Sequence, residues 1–194
     1  MKLIFGVCVA WVVLMGCVSP IAPTPAPTLV PKAIFVDNPI VPPDVPMVNQ
    51  DGRPTMLSDF RGKYAFVTFS NIDCQETCVD ALPTFQQVKR ILGEREDVIY
   101  IMVGTDFVAD SPAALKAYLA QYDPSFIGLT AERTNMSALA VRFGIHSYER
   151  RDGTLAPHAP FAYLLDKQGR LVFFFQSGLT AQQIVDAAKR VMKI

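Results

Sequence analysis

Two apolar, β-rich runs of strand length, Tyr-Ala-Phe-Val-Thr-Phe-Ser at 64–70 and Val-Ile-Tyr-Ile-Met-Val at 98–103, do most to limit what this chain can fold into. Runs this short and this apolar read as buried strands. Between them, over about 76–92, Leu82, Phe85, Val88 and Leu92 recur at helical spacing. A strand, a helix and another strand in succession mark an α/β fold.

The flanking residues extend the alternation. Asn49-Gln50-Asp51-Gly52-Arg53 is a turn signal between short extended stretches and predicts an entry hairpin. Ser111-Pro112 predicts a helix start, Ser as the N-cap and Pro in the first turn, with the helix leading through Tyr118 to Tyr122. A short strand follows over 126–129, then a helix over 137–143 stopped by Gly144. Residues 161–165 and 171–175, joined by Asp166-Lys167-Gln168-Gly169, read as a hairpin, and 180–192 as a closing amphipathic helix. This order predicts an α/β, thioredoxin-like sandwich with an N-terminal β-hairpin extension, spanning 47–194.

The N-terminus is of another kind. Lys2 precedes an apolar run from Leu3 to Met15, about thirteen residues, whereas a bilayer-crossing helix needs roughly twenty. A positive start, a short apolar core and Gly16 at the exit describe a secretory signal over 1–16. The ending Leu14-Met15-Gly16-Cys17 resembles the bacterial lipobox, which implies a lipid on Cys17 and a place in the bacterial cell envelope, facing the periplasm or cell exterior. From Val18 to Met47 the chain holds nine of its fifteen prolines without hydrophobic periodicity, so 17–46 is expected to be a lipid-anchored, semi-rigid spacer. The 18 basic and 18 acidic residues balance and the basic ones are scattered, which argues against nucleic acid as a partner.

Of the four cysteines, Cys8 leaves with the signal and Cys17 takes the lipid, so Cys74 and Cys78 remain for chemistry, in a compartment where disulfides form. They follow the loop Asn71-Ile72-Asp73, where the first buried strand has ended and the helix is expected to begin. A helix N-terminus favours thiolate over thiol, and the thiolate is both nucleophile and metal ligand. Three residues separate the pair: Gln75, Glu76 and Thr77. At i and i+4 on a helix the Cβ atoms lie about 5–6 Å apart, against about 3.8 Å in a disulfide. A metal held at about 2.3 Å from each sulfur, the zinc–thiolate distance, spans that gap with less distortion, although an oxidised form stays open.

Two thiolates rarely complete a metal site. The chain has two histidines. His158 sits in the proline-braced loop Ala156-Pro157-His158-Ala159-Pro160, which in a thioredoxin-like fold faces the start of the cysteine helix, so it is the candidate third ligand. His146 follows Gly144-Ile145 and reads as a surface residue. Two sulfurs and one imidazole suit Cu(I) and also hold Cu(II). Asp73 and Glu76 add negative charge beside the thiols, which favours a bound cation.

These residues resemble the Sco/SenC family of thioredoxin-fold copper chaperones, which help assemble the CuA centre of cytochrome c oxidase. The likeness covers about 47–192. The family's two cysteines with three residues between them fall on Cys74 and Cys78, and its distant histidine, eight residues before a turn Asp, falls on His158 ahead of Asp166. Asp106 with Asp110-Ser111-Pro112, and the phrase from Tyr122 to Thr130, also match. The resemblance implies one copper, Cu(I) or Cu(II), per chain, held by Cys74, Cys78 and His158, with Asp106 as an outer-shell carboxylate; Asp73, beside the thiols in sequence, is a second outer-shell candidate. It further implies transfer to cytochrome c oxidase subunit II or another copper acceptor, by a chain expected to be a monomer. Two departures stand out: Gln75 and Val79 replace the prolines usual after each cysteine, and Pro160 replaces Ala. Pro160 lies nine residues before Gly169, a spacing similar to that of the cis-proline of thioredoxin-like reductases. The alternative to a metallochaperone is thus a thiol–disulfide oxidoreductase in which Cys74 and Cys78 are the catalytic residues. A redox-silent adaptor on the same scaffold is the third reading.

Overall fold

At the centre of the fold, Tyr64–Ser70 and Val98–Gly104 pair in parallel, from Tyr64 opposite Val98 to Ser70 opposite Gly104. In the computed structural model, which describes residues 32–73, 81–149, 155–158 and 162–193 (main chain alone for 146–149 and 155–158), they are β4 and β5. Before them come β1 (Ala33–Ile40), β2 (Met47–Asn49), β3 (Pro54–Thr55) and a 3-10 turn at Leu57–Phe60. After β4 come α1 (Leu82–Leu92), then β5, α2 (Pro112–Leu119), β6 (Ile127–Thr130) and α3 (Arg133–Arg142). The chain continues through β7 (His146–Glu149), β8 (Leu155–His158), β9 (Ala162–Leu165), β10 (Leu171–Phe175) and α4 (Ala181–Met192).

Among the described residues, eight strands form one sheet in the order β1-β10-β9-β4-β5-β6-β2-β3, with β4, β5 and β6 parallel and the other neighbours antiparallel. The second strand pair, β7 with β8, stands apart from it. β4 is hydrogen-bonded along both edges and covered on both faces, which is why Ala65 through Ser70 are all buried. Its side chains alternate between two layers. Phe66 enters the layer built with Leu82, Phe85 and Val88 of α1, Leu115 and Leu119 of α2, and Ile184 and Val185 of α4. Its ring stacks on Tyr100 at 5.4 Å between centroids. Val67 and Phe69 enter the opposite layer with Leu139 of α3 and Phe143, where Phe69 and Phe143 meet at 4.9 Å and Tyr163 closes on Phe143 at the same distance. This is the α/β, thioredoxin-like sandwich that the order of elements predicts.

The helix ends follow local chemistry. Ser111 Oγ accepts the Ala114 N–H to start α2, with Pro112 in its first turn. Thr180 and Gln183 cap α4 reciprocally, hydroxyl to Gln183 N–H and side-chain oxygen to Thr180 N–H. The entry hairpin is present as β2 and β3, but β2 also pairs with β6, Val48 opposite Thr130, so the extension is the margin of the sheet itself.

Three expectations need correction. The spacer assigned to 17–46 contains β1, an edge strand with Ala33 opposite Phe175 and Phe35 opposite Phe173. Its residues 32–38 carry no proline, and Ile34, Phe35 and Val36 favour extended pairing. Pro39 is tolerated because an edge strand can spare an N–H. The helix expected from 137 begins at Arg133. Of its residues only Leu139 is buried, too little for apolar periodicity to mark the first turn. The loop expected around His158 is partly strand, since 155–158 pairs with 146–149. Among the described residues no helix is long and apolar enough to cross a membrane.

Candidate metal site beyond the parallel strands

β4 and β5 end side by side, and the Thr105 N–H donates to the Ser70 carbonyl at 2.9 Å one residue past the ladder. Two loops leave from here: 71–73, which leads to Cys74, and 105–111, which leads into α2. One side chain joins them. Asp110 is fully buried; its Oδ1 accepts the Ile72 N–H at 2.9 Å and its Oδ2 accepts the Asp106 N–H at 2.8 Å. Burial pushes the Asp110 carboxyl above the usual carboxylate range, while the N–H groups of Ile72 and Asp106 pull against that shift.

Gly104 makes the arrangement possible. A Cβ there would lie 2.6 Å from the Asp110 Cβ, closer than two carbons can approach, so no other residue lets the loop fold back so tightly. Asp106 is differently employed. Its Oδ1 accepts the N–H groups of Val108 and Ala109, at 2.9 and 3.1 Å, and shapes its own turn. At the tip of that turn Phe107 and Val108 are 47% and 73% exposed, and the Arg133 guanidinium lies 5.2 Å from the centre of the Phe107 ring. Asp73, the last described residue before Cys74, is exposed.

The structure brings only some of the expected site residues into view. Cys74, Cys78, Pro160 and Cys17 lie outside the described residues. Helix α1 as described opens at Leu82, four residues past Cys78, with Ala81 already in helical backbone. His158 ends β8 and is the last described residue before β9. Because β9 runs antiparallel to β4, with Tyr163 opposite Val67, β9 begins at the end of β4 that leads to Cys74. Within the β7–β8 pair, His158 stands opposite His146. Among the described residues no group of three or more His, Cys, Asp or Glu gathers around one point.

Sequence reasoning gave a site role to Asp106 and named Asp110 only within the motif beside it, yet Asp110 is the acid that touches the loop leading to Cys74. The signal available was Gly104 at the strand end, six residues ahead of an Asp that directly precedes a Ser-Pro helix start.

Residues 39–193 match the profile of the SCO1/SenC family. The chain belongs to that family. Among its curated relatives, an SCO2-like protein of Rickettsia felis is 24% identical over 163 residues, covering 80% of this chain and 79% of the relative. Among solved structures, Arabidopsis thaliana ScoI with copper bound superposes with a TM-score of 0.71 at 17% identity, over 79% of this chain and 98% of that one. BsSco, a member of the Sco family of cytochrome c oxidase assembly proteins in which a disulfide switch was identified, superposes with a TM-score of 0.65 at 20% identity, over 82% and 98% of the two chains. SCO1/SenC is thus a family of oxidase assembly proteins with copper-bound members, and this chain has its fold.

Proposed function

We propose that this SCO1/SenC protein is a copper carrier of the bacterial cell envelope that helps assemble the CuA site of cytochrome c oxidase. Copper is its cargo, one ion per chain, held by Cys74, Cys78 and His158. The observation that carries this reading is the antiparallel run of β9 against β4, which starts the strand after His158 at the same sheet end from which the chain leaves for Cys74. Parallel strands put binding sites at their carboxyl ends, outside the sheet.

The donor set fits the cargo. Two thiolates and an imidazole are soft enough for Cu(I) and still accept Cu(II), and three ligands leave room for an incoming thiol during ligand exchange. Asp73 and Asp106 add negative charge at this end of the sheet, and Asp110 fixes the main chain at Ile72. The acceptor is cytochrome c oxidase subunit II or another protein with free copper ligands. Cys17 carries the lipid, and the spacer is limited to the residues before β1.

A second reading, favoured by the disulfide switch identified in BsSco, makes the cysteines a thiol–disulfide couple. One thiolate attacks a partner disulfide, and the other resolves the mixed disulfide, leaving the partner reduced and Cys74–Cys78 oxidised. Copper titration of the purified full chain separates the two. One copper per chain is expected, with a thiolate-to-Cu(II) absorption band lost in Cys74→Ala and in His158→Ala. If His158→Ala binds copper as well as the parent, the carrier reading fails. If that variant also reduces protein disulfides at the parental rate, the oxidoreductase takes its place.

A further inference from the structure

The turn between β5 and α2 carries two apolar side chains, Phe107 and Val108, that stand in solvent while the backbone beneath them is fixed. Asp106 Oδ1 accepts from Val108 and Ala109, the Asp110 N–H donates to the Asp106 carbonyl at 2.7 Å, and Asp110 Oδ2 holds the Asp106 N–H. A tip held this way loses little freedom on being covered. Arg133, at the start of α3, lays its guanidinium over the Phe107 ring and joins the tip to the helix. Leu139, Met136 and Ala140 turn one side of α3 to the core. Thr134, Ala138 and Val141, at i, i+4 and i+7, share the opposite side, where Val141 is 75% exposed. Arg142 closes that side, about 13–14 Å along the axis from Arg133. Neither arginine has a carboxylate partner among the described residues, and Glu132, the N-cap, pairs with neither.

We propose that Phe107, Val108 and the outer side of α3 form a docking surface for a partner protein that offers an apolar cleft between carboxylates. An aromatic anchor with an arginine beside it is the composition of an interface centre. The two unpaired guanidiniums set the charge of the occupant. A second copy of this chain would bring the same arginines against each other in an isologous contact. An anionic membrane is read by clusters of about four to eight basic residues, and the described residues here offer Arg133 and Arg142. A protein with acidic groups that meet both arginines fits. The tip also has a useful place. The carboxylate of Asp110 holds Ile72 as well as Asp106, so a partner seated on Phe107 lies beside the loop 71–73. A copper carrier and a thiol–disulfide oxidoreductase both act on another protein, so the surface serves either. Only the choice of partner, cytochrome c oxidase subunit II, rests on the carrier reading.

Binding of the purified full chain to copper-free cytochrome c oxidase subunit II, both in detergent, tests the surface. Phe107→Ser combined with Val108→Ser should weaken binding about 30-fold, the loss typical of an interface anchor. Arg133→Glu and Arg142→Glu should each slow association, with an effect that shrinks as salt rises. Urea midpoints and copper stoichiometry should stay parental in all of them, which separates lost docking from lost folding or lost cargo. Parental affinity in the double variant and in both charge reversals overturns the surface and leaves the carrier reading standing. Self-association of the parent, or its binding to phosphatidylglycerol vesicles, abolished by the same variants overturns the choice of a partner protein. A parent that takes up one copper and does not bind subunit II overturns the docking proposal alone. A parent that takes up no copper yet binds subunit II through Phe107 keeps the surface and sinks the carrier reading.

Discussion

The carboxylate of Asp110 accepts the main-chain N–H of Ile72 at 2.9 Å, so an acid in the loop after β5 fixes the chain two residues before Cys74. Truncating it leaves the part-buried N–H groups of Ile72 and Asp106 without their acceptor, and an unsatisfied buried polar group costs about 1–3 kcal/mol, an upper bound here. Asp110→Ala should lose about that much stability in urea unfolding. Asp110→Asn keeps the volume and one acceptor oxygen and should lose less. Both should also weaken copper binding, because the loop is no longer held in one place. Parental stability in Asp110→Ala would mean that the contact does no holding.

The same contact makes Gly104 irreplaceable. Gly104→Ala puts a Cβ 2.6 Å from the Asp110 Cβ, and relieving that clash by shifting either loop should cost about 1–3 kcal/mol, the usual penalty of overpacking. In an Asp110→Gly background the obstructing carbon is gone, so the added cost of Gly104→Ala should shrink markedly. A double-mutant cycle measures the difference. Equal costs in both backgrounds would place the strain elsewhere.

Away from the site, Asp97 accepts from Arg95 and Lys167, and the Lys167 and Arg95 side chains hold its carboxyl below the usual range. A carboxyl lowered in the folded state stabilises the protein above its unfolded pKa of about 3.9, and the contribution disappears as pH falls through the folded value. The pair is near the surface, so Asp97→Asn should cost only about 0.2–1 kcal/mol at pH 7. Thermal melts from pH 7 to pH 2 should show the parent and variant converging at the acid end. A gap that widens with acid would contradict the ion-pair account.

How much of this could be read from the chain differs by element. β4, β5, α2 and α4 were legible because each carries its own signal: an unbroken apolar run, a Ser-Pro cap, a 3.6-residue stripe. β1 was obscured because prolines on both sides outweighed Ile34, Phe35 and Val36. β8 was obscured because Pro157 sits within it, opposite Ser147 on a two-stranded ladder that needs few of its N–H groups. For the site, cysteine spacing and the proline-braced histidine are local features and show in sequence. The contact from Asp110 to Ile72 spans 38 residues and depends on Gly104 being small, and the opposition of His146 and His158 depends on register. Neither leaves a periodic trace.

β1 gives the last prediction. A chain cut to 47–194, the boundary composition suggests, loses the strand that covers the outer edge of β10, including Phe35, whose ring meets Phe173 edge-on at 5.3 Å. Much of β1 is exposed, with Ile34 and Phe35 each 43% accessible, so the loss should be modest. A few ladder hydrogen bonds at about 0.5–1.5 kcal/mol net each put it at about 1–3 kcal/mol relative to 31–194. The bare β10 edge should also make the shorter form more prone to associate. Because β1 is three places from β4 in the sheet, copper stoichiometry per folded molecule should be unchanged. Urea melts and light scattering of the two forms decide it, and equal stability with equal solubility would return residues 33–40 to the spacer.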